Sequence, residues 1–411
     1  METQHQGVED RGWPSVLLIY TYGLIAAFSY GKIIAVAHDL ALSFEVPAGQ
    51  IGWLISAPSA IGALAAILAG WTADRLGDRK VLLAGALISM CANLLSYFSQ
   101  GYAMLVSSRV LEGCGVVALL LGGGAMMARS VAGKRRNSAL ALWATCMPLG
   151  VGMAQVITSA FAGTPVWRRV FLLHAALALA AALAVRFLPA QATADSPSGG
   201  KPRPRIAGMG AGAYRLGLAF GLMTIAQFGI ATSFTSYLIT HFGMAPANAA
   251  LIGATGAPMG VAGSLLSGML LNRGWPRFRI AMIASGIAAS SAVMMFVAAA
   301  PAAAVVAMMI YIAAGGAFFG LVMTIVPLVA PSPDRIGMAS GITNQIGQVG
   351  FLLGPPAMFA ILSFASPPIT ILAIAFLTLA ALAALPVPRR LSGTGTSHAP
   401  HSPATSRSDA R

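Results

Sequence analysis

Twelve stretches of this chain are apolar over a length that crosses a lipid bilayer, and that feature decides most of what it can fold into. In the first half they are residues 14–37, 49–71, 80–99, 103–128, 138–161 and 167–188. In the second half they are 214–238, 247–271, 278–298, 303–329, 338–362 and 367–388. About 20 apolar residues wound as a helix cross the hydrocarbon core. No water there meets an unpaired N–H or C=O, so runs this long must satisfy their own backbone as helices. The 411 residues are 57% hydrophobic and 9% charged, with mean hydropathy +0.79. A soluble domain carries about 25% charged residues. A large soluble enzyme and a disordered chain are thereby excluded, leaving an all-α integral membrane protein with twelve transmembrane helices.

A formal charge of +14 would suggest a nucleic-acid partner in a soluble protein, but the positions matter more than the sum. Four of the 25 Lys and Arg residues fall within spans or on the outer side: Lys32, Arg109, Arg168 and Arg169. The other 21 fall at inner span ends, in alternate loops, in the middle linker or in the tails. This positive-inside bias places both termini and the linker in the cytoplasm of a multi-pass inner (cytoplasmic) membrane protein, with lipid rather than nucleic acid around it. The expected organisation is a cytoplasmic tail over 1–13, a six-helix bundle over 14–188 and a cytoplasmic linker over 189–213. A second six-helix bundle follows over 214–388, then a disordered cytoplasmic tail over 389–411. Cys91, Cys114 and Cys146 all lie in apolar runs, without metal-type spacing or an evident disulfide pair. Ala35-Val36-Ala37 imitates a signal-peptidase site, but the run before it is too long and contains Lys32, so a retained first span is expected.

After the second span stands Gly70-Trp71-Thr72-Ala73-Asp74-Arg75-Leu76-Gly77-Asp78-Arg79-Lys80. After the eighth stands a weaker echo, Gly268 to Arg277, with Asn272 in the acidic place. A loop type that recurs six spans later marks two repeats, the plan on which alternating-access carriers are built. In this pattern the chain resembles the major facilitator superfamily of secondary transporters, over essentially its whole length. Arg109-Val110-Leu111-Glu112-Gly113 in the fourth span and Trp167-Arg168-Arg169-Val170-Phe171 at the sixth are similar to further family features. The resemblance implies two six-helix pseudo-repeats around a central cavity, and a cytoplasmic gate motif at Gly70, Asp74, Arg75, Gly77 and Arg79. Gly70 and Gly77 permit a tight turn, and Arg75 and Arg79 are expected to hold the cytoplasmic interface. Topology-setting charges are the plainer reading of the same loop.

Ionisable groups inside spans are costly, about 2.5–3.5 kcal/mol at a helix centre, and so are functional candidates. Here they are Lys32, Arg109, Glu112 and His174. Arg109 and Glu112 share a helix face at i, i+3. The family resemblance sets the first and fourth spans beside the cavity, where Lys32 would join them. Glu112, deep in its span, is the leading candidate for a coupled proton. Two cations against one carboxylate suit an anionic or metal-chelating solute; a buried structural ion pair with Lys32 snorkelling outward is the alternative. The same fold puts His174 at the periphery, where packing is expected. Substrate-cavity candidates in the second half are Gln227, Asn344 and Gln348, beside Gln345, although amides also hold helices together. Pro148, Gly150 and Pro355 are expected to bend their helices. Small residues at Gly52, Ser56, Ser59 and Ala63, and at Gly253, Gly256, Gly260 and Gly263, mark faces where the halves slide.

These features imply a monomeric, proton-coupled secondary active transporter of a small organic solute, with no cofactor and no metal. No ATP-binding loop is present, and one charge crossing 100 mV supplies roughly 2.3 kcal/mol. Efflux of a metabolite, chelator or toxic compound is favoured slightly over uptake of an organic anion or vitamin. The incomplete Gly-Pro motif at Met147-Pro148-Leu149-Gly150 leaves direction open. A non-transporting sensor would carry an extra domain or a decayed gate loop, and a membrane-embedded enzyme would cluster His with Asp or Glu. Topology is testable in a background without native cysteines. Lys80→Cys and Ser198→Cys should react with an impermeant maleimide from the same side; labelling from opposite sides would overturn the twelve-span arrangement.

Overall fold

The computed structural model describes residues 12–130, 133–188, 208–332, 335–364 and 366–386. Much of the expected tails and linker therefore lies outside the described residues. The first half comprises α1 (Gly12–Ala35), the short α2 (Ala37–Phe44), α3 (Ala48–Leu76), α4 (Asp78–Tyr97), α5 (Tyr102–Ser130), α6 (Gly133–Ala144), α7 (Cys146–Thr158) and α8 (Arg169–Ala184). The second half comprises α9 (Ala211–Phe242), α10 (Pro246–Ala254), α11 (Gly256–Asn272), α12 (Arg277–Val297), α13 (Pro301–Val329), α14 (Ile336–Phe364) and α15 (Pro367–Ala384). Among the described residues, ten uninterrupted or nearly uninterrupted helices are long and apolar enough to cross a membrane, and the bent pair α6–α7 makes an eleventh. The 29-residue α3 supplies the remaining span of twelve. The helices leave no strand among the described residues.

Two spans are broken in the same way. Thr145 separates α6 from α7 at a bend of 46°, and Thr255 separates α10 from α11. Each threonine turns back onto its own helix: Thr145 Oγ1 donates to Leu142 O at 2.7 Å and Thr255 Oγ1 to Ile252 O at 2.6 Å. Each is followed three positions on by a proline, Pro148 and Pro258. A proline ring clashes with the carbonyl four residues earlier and supplies no N–H to it. Those carbonyls belong to Ala144 and Ala254, the last residues before the breaks. Pro148 thus acts on its helix as its chemistry predicts. Gly150 is instead a packing position, because a Cβ there would lie 2.6 Å from that of Ala27 on α1. α14 continues through Pro355 and Pro356 as one helix, without the break seen at Thr145 and Thr255. The prolines are clamped there between neighbouring helices and fill the space left by Gly52 of α3.

Within the first half, α1 packs on α5, α7 and α8, while α4 packs on α5 and α8. Within the second, α9 packs on α13, α14 and α15, and α13 on α11 and α12. The halves meet along α3 with α14 and along α7 with α10 and α11. The end of the bundle where α8 finishes and α9 begins is the linker side; the other is the far side. Contacts across the seam are strong towards the far side. Gly163, at φ +73°, sits in the loop before α8, and a Cβ on it would lie 3.1 Å from Pro246 at the start of α10. Both oxygens of Asp39 on α2 accept the Gly163 N–H at 3.1 Å, fastening that loop from beneath. Burial raises the Asp39 carboxyl above its ordinary pKa, with the Gly163 N–H acting in the opposite direction.

Gly52 sets the approach of α3 to α14: a Cβ there would lie 2.5 Å from Pro356 N and 2.7 Å from Pro355 C. Gly286 on α12 has nothing within 4 Å of such an atom. Gly52→Ala should therefore lower the thermal unfolding midpoint in detergent, at a cost of about 1–3 kcal/mol for overpacking, while Gly286→Ala leaves it unchanged.

Candidate functional site

Glu112, Lys32 and Arg109 meet, together with two residues from other spans, inside the first half. All three side chains are fully buried, with 0% exposure. α5 carries Arg109 and Glu112 on one face, and the guanidinium bonds Glu112 Oε2 directly. The rest of that guanidinium is held by main chain: Nε donates to Leu54 O on α3 at 3.1 Å and Nη2 to Ser29 O on α1 at 2.6 Å. Glu112 Oε1 gathers the remaining donors. Lys32 Nζ stands 2.6 Å away, Ser29 Oγ 2.7 Å and Asn93 Nδ2 3.1 Å. Four helices, α1, α3, α4 and α5, thus converge on one acid through side chains or carbonyls.

α8 brings the fifth part. His174 is also fully buried, and its Nδ1 lies 2.7 Å from Lys32 Nζ and 3.0 Å from Glu112 Oε1. Its Nε2 lies 3.0 Å from Ile25 O on α1. Lys32 Nζ also bonds Asn93 Oδ1, and the Asn93 amide donates to Ser89 O at 2.8 Å. Aromatic rings close the periphery: Phe28 is 5.1 Å from the His174 ring, and Phe171 is 5.4 Å from Lys32 Nζ.

Two positive groups and one negative group leave an enclosed excess of one positive charge when His174 is neutral. Charges buried in this way are tolerated when each hydrogen and lone pair has a partner. The cluster answers that demand through Ser29, Asn93 and the main-chain carbonyls of Leu54, Ser29, Ile25 and Ser89. Lys32 does not snorkel to an aqueous surface, and the cluster lies within the first bundle rather than open to solvent. His174 corrects the expectation of peripheral packing, because α8 lies against both α1 and α4 and turns its imidazole into the cluster. The residues overlooked in sequence are Ser29 and Asn93. Asn93 carried a legible signal: an amide inside an apolar run, near the same end as Lys32. Ser29 did not stand out among many small polar residues.

The amides of the second half are dispersed. Gln227 is buried and donates through Nε2 to Tyr311 O at 2.9 Å, tying α9 to α13. Asn344 is exposed and donates to Ser340 O on its own helix at 3.0 Å. Gln348 is half-buried at the seam, its Oε1 3.2 Å from where a Cβ of Gly62 would lie. Gly70, Asp74 and Arg75 of the loop motif lie outside the residues whose side chains are described. Gly77, at φ +81°, makes the turn between α3 and α4. Arg79 donates to Val185 O at 3.1 Å and Arg186 O at 3.4 Å, capping the final carbonyls of the sixth span within its own half. At the far side Arg168 donates to Ser99 O at 2.8 Å and lies over Phe44 and Trp167.

Comparison with known proteins agrees with this architecture. The family model for the Major Facilitator Superfamily matches residues 19–355. The galactose-proton symporter of Escherichia coli (strain K12) is 26% identical over 175 residues, covering 43% of this chain and 37% of that protein. The methyl viologen resistance protein SmvA of Salmonella typhimurium (strain LT2) is 26% identical over 186 residues, covering 44% and 37%. The alignments thus span little more than a third of these curated relatives. A bacterial homologue of the human lysosomal transporter Spinster, solved in an inward-facing and occupied conformation, shares the fold. Its TM-score is 0.72 at 19% identity, covering 90% of this chain and 92% of that one.

The charge balance makes an asymmetric prediction. Lys32→Met leaves Arg109 and Glu112 as a neutral pair, whereas Glu112→Gln leaves two cations enclosed without an anion. Removing one member of a buried pair typically costs about 3–5 kcal/mol. Glu112→Gln should show that loss in thermal unfolding and Lys32→Met a smaller one; the reverse order would refute the charge assignment.

Proposed function

Because the chain belongs to the Major Facilitator Superfamily, we propose that it is a secondary active transporter moving a small organic solute by alternating access, with a proton gradient as its energy source. The observation that carries the coupling is the enclosed Glu112 cluster. An acid, two cations and an imidazole buried at membrane depth stay hydrogen-bonded only while their protonation is matched, so one added proton forces a rearrangement. The cluster lies on α1 and α5, and α1 touches both α9 and α10 of the other half. A change in its hydrogen bonds therefore acts on a helix that borders the seam. Contacts among α2, the Gly163 loop and α10 support a state closed at the far side.

In this reading the protein works as a monomer in the inner (cytoplasmic) membrane, with both termini and residues 189–213 in the cytoplasm. The far side is then periplasmic, and the described state faces inward. Gln348 and Asn344, half-buried and exposed on α14, remain available to a solute; Gln227 is committed to Tyr311. Export of a toxic or chelating compound is the favoured direction, in keeping with the resemblance to a methyl viologen resistance protein. Proton-driven uptake is the second reading, supported by the resemblance to a galactose-proton symporter.

Accumulation of galactose, methyl viologen and a panel of organic acids, measured in cells with and without the protein, separates the two. Export predicts lower internal solute when the protein is present, and a protonophore should erase the difference. Higher internal solute would establish uptake. Glu112→Gln should remove the pH dependence of that transport and lower its rate at least tenfold. An unchanged pH profile would exclude Glu112 from coupling.

A further inference from the structure

With His174 neutral and its hydrogen on Nε2, one close approach in the cluster sets two acceptors together. A carbonyl oxygen only accepts, so the contact between His174 Nε2 and Ile25 O, at 3.0 Å, places the ring hydrogen on Nε2. Nδ1 of the neutral ring is then a bare lone pair. An ammonium has three hydrogens, and Lys32 Nζ has three acceptors around it: Asn93 Oδ1, Glu112 Oε1 and His174 Nδ1. All three of its hydrogens are committed. The remaining approach, Nδ1 to Glu112 Oε1 at 3.0 Å, therefore sets two acceptors at hydrogen-bond distance.

From this geometry we propose that His174 Nδ1 is where the transported proton binds, and that its arrival displaces Lys32. The inference rests on the proton-coupled reading above. A proton on Nδ1 turns the empty approach into a charge-assisted hydrogen bond to Glu112. It also removes the lone pair that Lys32 was using and sets an imidazolium 2.7 Å from the ammonium. The groups facing the ring fix the direction of movement. α1 presents Lys32 and α5 presents Glu112, with Arg109 bonded behind it. α4 presents the uncharged Asn93, and α8 and α1 add Phe171 and Phe28. Glu112 is held in place by Arg109, Ser29 and Asn93, so Lys32, on its flexible stem, is the group that moves.

The consequence reaches the seam through a single turn of α1. Ser29 and Lys32 are in the cluster, and Tyr30 between them packs edge-on against Phe228 of α9, with ring centroids 5.8 Å apart. Release of Lys32 thus loosens the turn that carries a contact to the other half.

The test uses the full chain in nanodiscs with His5, His38, His241, His398 and His401 changed to Gln, leaving His174 as the sole histidine. Nitrogen-15 NMR of that ring should show hydrogen on Nε2 and none on Nδ1 at pH 8. Acidification to pH 3.5 should add a hydrogen at Nδ1. With Glu112→Gln added, the change should be lost over the same range. Transport of galactose or methyl viologen, whichever the protein moves, should lose its pH dependence in His174→Gln while binding of the solute to the purified protein is retained. A ring with Nδ1 bare down to pH 3.5, or a wild-type pH profile in His174→Gln, would overturn the assignment to His174. Wild-type transport insensitive to a protonophore would instead overturn the proton-coupled reading itself.

Discussion

A carboxylate closed off at membrane depth must find every partner inside the protein, and Glu112 organises the first bundle around that demand. Its two oxygens collect hydrogens from Arg109, Lys32, Ser29 and Asn93. Those residues come from α1, α4 and α5; through Arg109 the cluster also reaches the main chain of α3, and through His174 it reaches α8. The cost of leaving any one group unpaired in hydrocarbon is several kcal/mol, so the five helices are held in register by chemistry as well as by shape. The second half has no equivalent cluster among the described residues. There the helices are held by apolar packing and by single amide or hydroxyl bonds, such as Gln227 to Tyr311 O. One half is polar at its heart and the other is smooth.

Shape supplies what hydrophobicity cannot. Lipid tails are as apolar as leucine, so helices in a bilayer associate through close packing of small residues rather than by escaping water. The stripe on α3 does this across the seam, with Gly52 against Pro355 and Pro356 and Gly62 against Gln348. The stripe on α10 and α11 is divided. Gly253 faces Gln155 of α7 across the seam as well as Thr235 of α9, while Gly260 lies against Gly316 of α13 in its own half. Small residues thus mark close helix pairs generally, and only some of those pairs lie between the halves.

What the sequence made legible follows from the physics of each feature. Span number and an all-helical fold were readable because a bilayer leaves one solution for a long apolar run. Glu112, Arg109 and Lys32 were readable because charge in such a run is conspicuous. His174 was misplaced because its role depends on which way α8 turns, which an almost uniformly apolar helix does not encode. Pro355 lies within an unbroken α14, with Gly52 of α3 packed against it. Pro148 stands at a break as expected, and Pro258, which the sequence did not single out, stands at a second one; each has a threonine three residues before it that closes the preceding turn. Arg79 belongs to the loop motif by pattern, but which carbonyls it caps is a matter of where α8 ends.

In the proposed coupling, conversion of a proton's arrival into movement requires a part that is both chemically committed and mechanically placed, and residues 29–32 of α1 have bonds of both kinds. Ser29 donates to Glu112 and its carbonyl accepts from Arg109. Tyr30 bonds Ser59 of α3 at 3.0 Å and lies on Phe228 of the other half. Gly31 meets α7 so closely that a Cβ would lie 2.6 Å from that of Ala154. Lys32 completes the cluster. Consecutive residues on a helix point about 100° apart, so positions i and i+3 return to one face. In this turn Ser29 and Lys32 share Glu112, Tyr30 faces α3 and α9, and Gly31 faces α7, so it is tied on three sides. In the proposed coupling, a change in hydrogen bonding at Lys32 is felt through Tyr30 and Gly31 at α9 of the other half and at α7, which borders the seam with α10 and α11.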